Sequence, residues 1–327
     1  MKTFKKLNMI SYPTPFQEMH NLRKFLGCKP RLFVKRDDLT EVGLGGNKNR
    51  KLDYVMAEAC DNGADTIITW GACQSNHCRQ TLAYANILGM ECHLILNGHE
   101  AAPQGNLLIY DIFGAYKYFE PDSDKCVERC ETLAAELKAA GKKPYIVPLG
   151  ASSALGSVGY IDCMKELAEQ TKAAGVRAGH LFVGTGSAGT QAGLVVGAKL
   201  YLPECRIDGV SVSRDSAEQS PKVASCANDL AALIGSDLRF QDSDICVHDK
   251  YYGEAYAVPT QSGIDAIKLL GKTQALLLDP VYSGKAMAGM LDLLTKGMLD
   301  SAEAVVFLHT GGSPAVFHYS ESFGDKL

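Results

Sequence analysis

The chain alternates short runs of β-branched and aliphatic residues with longer stretches whose apolar positions recur at helical spacing. Leu52, Val55, Met56 and Ala59 stand three or four apart, so the spacing predicts a helix beginning near Lys48. The run Thr66-Ile67-Ile68-Thr69-Trp70 reads as a strand, 71–76 as a loop, and the stretch through Leu82, Tyr84 and Leu88 as a helix closed by Gly89. A strand over 92–96 completes a βαβ unit. The rhythm recurs with a strand over 145–148, a helix through Met164 and Leu167, a strand over 181–184, a helix over 192–200 and a strand over 207–212. Further strands are expected over 275–278 and 305–309, with a helix through Met287, Met290 and Leu294 between them. Such alternation implies parallel sheets covered by helices on both faces, with ligands bound beyond the carboxyl ends of the strands. The loops that follow strands are therefore the places to look for chemistry.

Composition narrows the class without changing it. The 327 residues are 46% hydrophobic and 21% charged, an ordinary globular balance with room for two domains. A formal net charge of -4 supplies no basic field for nucleic acid or an acidic membrane. Residues 1–16 contain lysines but no continuous apolar stretch, and no apolar run approaches the roughly 20 residues that span a bilayer. The expectation is a cytoplasmic protein. The 11 cysteines form no C-x-x-C pair and stand with no histidine set at zinc spacing, so reduced thiols and no metal are expected. Cys73 and Cys78, which flank a polar loop, fit that description less well.

Four segments concentrate polar chemistry. In Gly45-Gly46-Asn47-Lys48-Asn49-Arg50-Lys51, the glycines free the backbone, Asn47 is placed to cap the following helix, and Lys48 and Lys51 share a helical face. Two solvated surface lysines would give the same pattern. Gly71-Ala72-Cys73-Gln74-Ser75-Asn76-His77 runs from strand end to helix start, an anion site by geometry, although Ser75 or Asn76 acting as a plain cap also accounts for it. Gly184-Thr185-Gly186-Ser187-Ala188-Gly189-Thr190 is a small-residue turn suited to a phosphate. It matches G-x-G-x-x-G, and Arg214 beyond the next strand would suit a 2'-phosphate, so a dinucleotide reading stays open. Towards the C-terminus lie Tyr256, the segment Asp279-Pro280-Val281-Tyr282-Ser283-Gly284-Lys285, and His309-Thr310-Gly311-Gly312. Spacing alone gives these tyrosines no catalytic role.

Together the pieces GGNKNRK, QSNH with RQT, TGSAGTQAG and DPVYSGKAMAG resemble the fold-type II pyridoxal-phosphate enzymes. More narrowly they resemble the group of D-cysteine desulfhydrase, L-cysteate sulfo-lyase and 1-aminocyclopropane-1-carboxylate deaminase. The resemblance runs over nearly the whole chain, from Lys35-Arg36-Asp37-Asp38 to His309-Thr310-Gly311-Gly312. It implies an α/β fold of two three-layer αβα domains with mostly parallel twisted sheets, like the β subunit of tryptophan synthase. The inferred borders are 1–52 and 166–327 for a large cofactor-binding domain and 53–165 for a small one. It implies pyridoxal 5'-phosphate as cofactor, a small amino acid as substrate and a homodimer. Lys48 corresponds to the lysine that carries the cofactor and Lys51 to the one that touches its phosphate. Ser187, Ala188, Gly189 and Thr190 correspond to the phosphate loop, Asn76 to the partner of the ring hydroxyl, and Thr310 to the partner of the pyridine nitrogen. Ser75, Asn76 and His77 correspond to residues at the substrate, with Ser75 also in proton transfer, and Tyr256 and Tyr282 to active-site tyrosines. On this resemblance the glycine-rich turn takes one phosphate and not a dinucleotide.

The same comparison bears on the reaction. In the cyclopropane deaminases a glutamate follows the tyrosine of the DPVY segment, whereas Ser283 stands here. Uncharged hydroxyls at Ser283 and Thr310 suit loss of a good β-leaving group better than ring opening. The expected activity is β-elimination from D-cysteine to pyruvate, sulfide and ammonia. The rivals are sulfite release from L-cysteate, cyclopropane deamination, an NADP oxidoreductase, and a binding protein without catalysis. Arg214 is a candidate sulfonate partner. Trp70, Cys73 and Cys78 depart from the small or aliphatic residues of relatives around QSN. Lys48 must be neutral to attack a carbonyl, and burial and neighbouring Lys51 are both expected to lower its pKa.

Overall fold

A computed structural model describes residues 2–324. Its larger sheet has six strands in the order β1-β2-β10-β7-β8-β9. These are β1 (Phe16–Glu18), β2 (Arg31–Arg36), β7 (Ala178–Thr185), β8 (Arg206–Ser211), β9 (Cys246–His248) and β10 (Ala304–His309). Only β1 runs antiparallel to its neighbour. The smaller sheet is wholly parallel, in the order β5-β4-β3-β6, from β3 (Thr66–Ala72), β4 (Glu91–Asn97), β5 (Tyr116–Glu120) and β6 (Pro144–Ile146). The helices are α1 (His20–Leu26), α2 (Lys48–Asp61), α3 (Asn76–Ile87), α4 (Asn106–Ile112), α5 (Ser123–Ala139) and α6 (Ala154–Ala173). They continue with α7 (Gly189–Tyr201), α8 (Ser216–Ile234), α9 (Gln261–Gln274), α10 (Ser283–Thr295) and α11 (Pro314–His318).

The period of two along each strand sends alternate side chains to opposite helical layers. On β10, Val306 and Leu308 join a core with α6, α7 and α8, while Val305 and Phe307 join another with α9 and α10. On β3, Ile67 packs towards α2 and α3, and Ile68 towards α5. Strands buried on both faces explain the continuous apolar runs, and the fold is the αβα arrangement with mostly parallel sheets. The expected borders at 52/53 and 165/166 fall inside α2 and α6.

One expected strand is absent. Residues 275–278 form no strand: α9 ends with Ala275 at φ 53°, and the chain then runs irregularly to Asp279. A left-handed residue ends a helix by turning the backbone away, which breaks the extended geometry that the aliphatic run suggested. The buried strand β2, absent from the sequence reading, is Arg31-Leu32-Phe33-Val34-Lys35-Arg36, an apolar core disguised by charged ends. Among the described residues no helix is long and apolar enough to cross a membrane.

Candidate active site

A cavity of about 680 Å³ lies between the two sheets. It is bounded by the ends of β3 and β7, by the segment after β10, and by the start of α2. It gathers Lys48, Ser75, Asn76, His77, Ser187, Ala188, Thr190, Tyr256, Tyr282 and Thr310 around one space. Lys51 and Gly189 stand just behind its wall.

Lys48 owes its place to a close backbone approach. The Asn47 amide donates to the Thr310 carbonyl at 3.0 Å. A Cβ on Gly46 would meet that carbonyl oxygen at 3.0 Å and the Gln80 amide nitrogen at 2.7 Å, and the φ of 129° itself favours glycine. Asn47 does not cap α2 with its side chain. Its amide nitrogen instead donates to the Thr190 hydroxyl at 3.0 Å, and its oxygen accepts from Lys48 Nζ at 2.9 Å. Burial lowers the Lys48 pKa to about 8, with Asp279 opposing and Arg79 adding to the effect. Lys48 and Lys51 also repel one another, and burial with this repulsion holds Lys51 well below the usual lysine range.

The phosphate-loop candidates form a cradle at the start of α7. Ala188 sits at φ 73°, a conformation that a side-chain-bearing residue keeps only where its surroundings hold it. A Cβ on Gly189 would meet Ser152 at 2.8–3.0 Å, so glycine lets two loops touch. Lys51 Nζ donates to Ser152 Oγ at 2.8 Å, and Ser152 Oγ lies 2.8 Å from Ser187 Oγ. Lys51 is fully buried and meets no carboxylate among the described residues. A buried lysine with no carboxylate partner, behind a small-residue turn at a helix N-terminus, is what a phosphate would complete. On this ground the residues fit pyridoxal 5'-phosphate.

At the other end, Ser75 caps α3, its Oγ accepting from the Cys78 amide at 3.2 Å. The capping reading thus holds, and the hydroxyl hydrogen remains available to the cavity. Asn76 Oδ1 accepts from Arg79 Nη1 at 2.6 Å and from Asn106 Nδ2 at 3.0 Å, which leaves its NH2 end for a ligand. Both ring nitrogens of His77 already face hydroxyls, Thr69 at 2.8 Å and Thr81 at 3.4 Å, and burial pushes its pKa down. The Tyr256 and Tyr282 hydroxyls meet at 2.5 Å. Burial, with Asp279 adding and the Tyr282 contact opposing, pushes Tyr256 up to about 12. Thr310 presents an uncharged hydroxyl, whereas the Ser283 hydroxyl turns away to Asp279 Oδ1 at 2.6 Å.

Three residues escaped the sequence reading. Arg79 donates to the Gly43 and Gly45 carbonyls as well as to Asn76 and Asn106. Its spacing of three from Asn76 on α3 was the available signal. Asp279 accepts from the amides of Val281, Tyr282 and Ser283 at 2.9 Å each, fixing the tyrosine-bearing turn. Ser152 has no local signal, because its partners come from α2 and the turn before α7. Trp70 and Arg214 line the main cavity, Cys73 lines a smaller adjoining one, and Cys78 is buried behind Ser75.

Residues 7–311 match the family described as pyridoxal-phosphate dependent enzyme, and the chain belongs to it. It depends on pyridoxal phosphate. It is 42% identical over 322 residues to D-cysteine desulfhydrase of Yersinia pestis (strain Pestoides F), covering 97% of this chain and 96% of the relative. It is 40% identical over 327 residues to D-cysteine desulfhydrase of Salmonella paratyphi C (strain RKS4594), with the same coverage. A solved structure described as an ACC deaminase homologue superposes with a TM-score of 0.91 at 35% identity, covering 98% of this chain and 96% of the other.

Proposed function

We propose that this chain is a β-eliminating lyase that converts D-cysteine to pyruvate, sulfide and ammonia. The observation that carries the reading is the buried Lys48 amine, its pKa lowered to about 8, facing one cavity with the small-residue turn and Ser75. The identity to two D-cysteine desulfhydrases supports the substrate. When bound, pyridoxal phosphate supplies an electron sink for the bonds at the substrate's α-carbon.

The chain's own residues supply binding and proton handling. Lys51, with Ser187, Ala188, Gly189 and Thr190, holds the phosphate. The NH2 end of Asn76 would hold the ring oxygen, and the Thr310 hydroxyl the ring nitrogen. An uncharged partner there leaves the sink modest, which suffices for a good leaving group such as thiolate. Ser75 Oγ–H donates to the substrate carboxylate, and His77 braces that corner through Thr69. Lys48 Nζ, buried and with a lowered pKa, is the base that would take the substrate's α-proton. The paired Tyr256 and Tyr282 hydroxyls, both held protonated, face the departing sulfur. The sulfonate reading rests on Arg214 at the cavity wall. We further propose a cytoplasmic homodimer. Eleven unpaired thiols support a reducing location, and the dimer rests on the resemblance alone.

The test is purified protein offered D-cysteine, L-cysteine, L-cysteate and 1-aminocyclopropane-1-carboxylate, with sulfide, sulfite, pyruvate and α-ketobutyrate measured. Sulfide and pyruvate from D-cysteine are expected, and sulfite from L-cysteate without sulfide would replace the proposal. Lys48→Ala is expected to lower turnover by at least roughly 1,000-fold, the scale of a lost acid–base group.

A further inference from the structure

Away from the cavity, the outer strands of the larger sheet assemble a second cluster. Asp208 on β8 stands opposite Cys246 on β9, and His248, two residues on, projects from the same side as Cys246. Asp208 Oδ1 lies 3.4 Å from Cys246 Sγ and 2.9 Å from His248 Nε2. The third edge of the triangle, Cys246 Sγ to His248 Nε2, is 3.5 Å. Zinc bonds of about 2.0–2.3 Å at tetrahedral angles put neighbouring donor atoms roughly 3.3–3.6 Å apart. Two edges already match, and the third needs to open by only about 0.4 Å.

The surroundings have the form of a ligand site. Asp208 is 1% exposed, so its carboxylate is held in place. Its second oxygen accepts from His180 Nδ1 at 2.8 Å, the kind of outer contact that orients a metal-binding carboxylate. The position is at present served by another cation: Arg206 Nη2 lies 2.9 Å from Cys246 Sγ and its Nε 3.2 Å from Asp208 Oδ1. That side chain is 58% exposed, so it can swing into water without leaving a buried charge. Burial opposes the charged form of His248, but the contacts to Asp208 and Cys246 push its pKa up to about 9. The cluster thus collects positive charge around one carboxylate, which a single divalent ion would supply instead.

We propose that Asp208, Cys246 and His248 bind a zinc-type divalent cation, with water in the fourth position and His180 orienting the carboxylate. Binding displaces the His248 proton and the Cys246 thiol proton to solvent and turns Arg206 outward. The ion ties β9, a three-residue edge strand, to β8. Sequence spacing pointed to no metal because Asp208 meets the other two donors only through strand pairing.

The test uses holoenzyme dialysed against zinc and freed of excess ion, with metal counted per chain and located in crystals by anomalous scattering at the zinc edge. One zinc per chain, placed between the three donors, is expected. Cys246→Ser and His248→Ala should lose stoichiometric retention, and His180→Ala should weaken it roughly tenfold. Arg206→Ala keeps every donor and removes the competing cation, so it should tighten zinc binding roughly tenfold. That gain is not expected of a purely structural ion-pair cluster. Substoichiometric zinc, retention indifferent to these substitutions, or scattering at other thiols such as Cys73 would overturn the proposal. Should a donor variant fail to fold, the wild-type map and the Arg206→Ala titration decide alone.

Discussion

Arg50 and Lys51 are neighbours on α2, both fully buried, and they live in opposite electrostatic surroundings. Arg50 donates to both oxygens of Asp37 at 2.8 and 2.9 Å and to both oxygens of Glu166 at 2.7 and 2.9 Å. Lys35 adds a contact to Glu166 at 2.7 Å, and the Tyr160 hydroxyl one to Asp37 at 2.7 Å. Lys51 has a serine hydroxyl. One face of α2 is a finished network that fixes the helix to β2 and α6, and the other holds a buried amine with no carboxylate beside it among the described residues. A closed network reads as scaffold, and an open one reads as a binding site. Arg79 belongs with Lys51, because it too is buried and spends its donors on carbonyl and amide oxygens.

The contrast can be broken from either side. The largest effect is expected from Asp37→Ala, which removes one of the two carboxylates paired with buried Arg50 and leaves its Nε unpartnered in the interior. Unfolding by urea should show a loss of about 3–5 kcal/mol, with or without cofactor. Lys51→Met should do the reverse, leaving cofactor-free stability unchanged or higher. Pyridoxal phosphate affinity, followed by absorbance titration, should fall about 10- to 100-fold through loss of one charged hydrogen bond. Equal destabilisation by the two substitutions would erase the distinction.

Arg79→Met sharpens it through pH. Reaction of Lys48 with the cofactor aldehyde needs the neutral amine, so reconstitution of cofactor-free protein should quicken as pH rises through about 8 and then level. Arg79 holds that pKa down, so its removal should move the midpoint upward, to be read from reconstitution rates across pH. An unmoved midpoint would remove Arg79 from the causes of the lowered pKa. The smallest effect belongs to Ser152→Ala, which removes the hydroxyl between Lys51 and Ser187. A loss of about 1 kcal/mol, near fivefold in cofactor affinity, is expected in the same titration.

The sequence carried the parts of this site that local chemistry dictates. Lys48 and Lys51 share a face because three residues nearly complete a helical turn, and the turn at 184–190 is legible because small residues must close a strand onto a helix. Ser75 was legible as a cap, and its Oγ does accept from the Cys78 amide. What stayed hidden depends on distant pairing. The Asn76 amide is oriented by Arg79 and by Asn106 from α4, and Lys51 is met by Ser152 from the loop before α6. The burial of Lys35 beneath Glu166 contradicts what a lysine at a strand end suggests, which is why β2 escaped notice. The run at 275–278 misled for the opposite reason: its aliphatic residues suit a strand, but the left-handed turn at Ala275 and the Asp279 contacts bend the backbone first.

The course of α2 has a consequence for dissecting the molecule. Its first turn holds Lys48 at the cavity, while Leu52, Val55, Met56 and Ala59 fill the core under the smaller sheet. A fragment excised between 52 and 53 would cut this rod midway, parting the reactive amine from most of the side chains that anchor it. The two lobes are better regarded as joined at a common spine than as beads on a string, and splitting or swapping them requires carrying α2 whole.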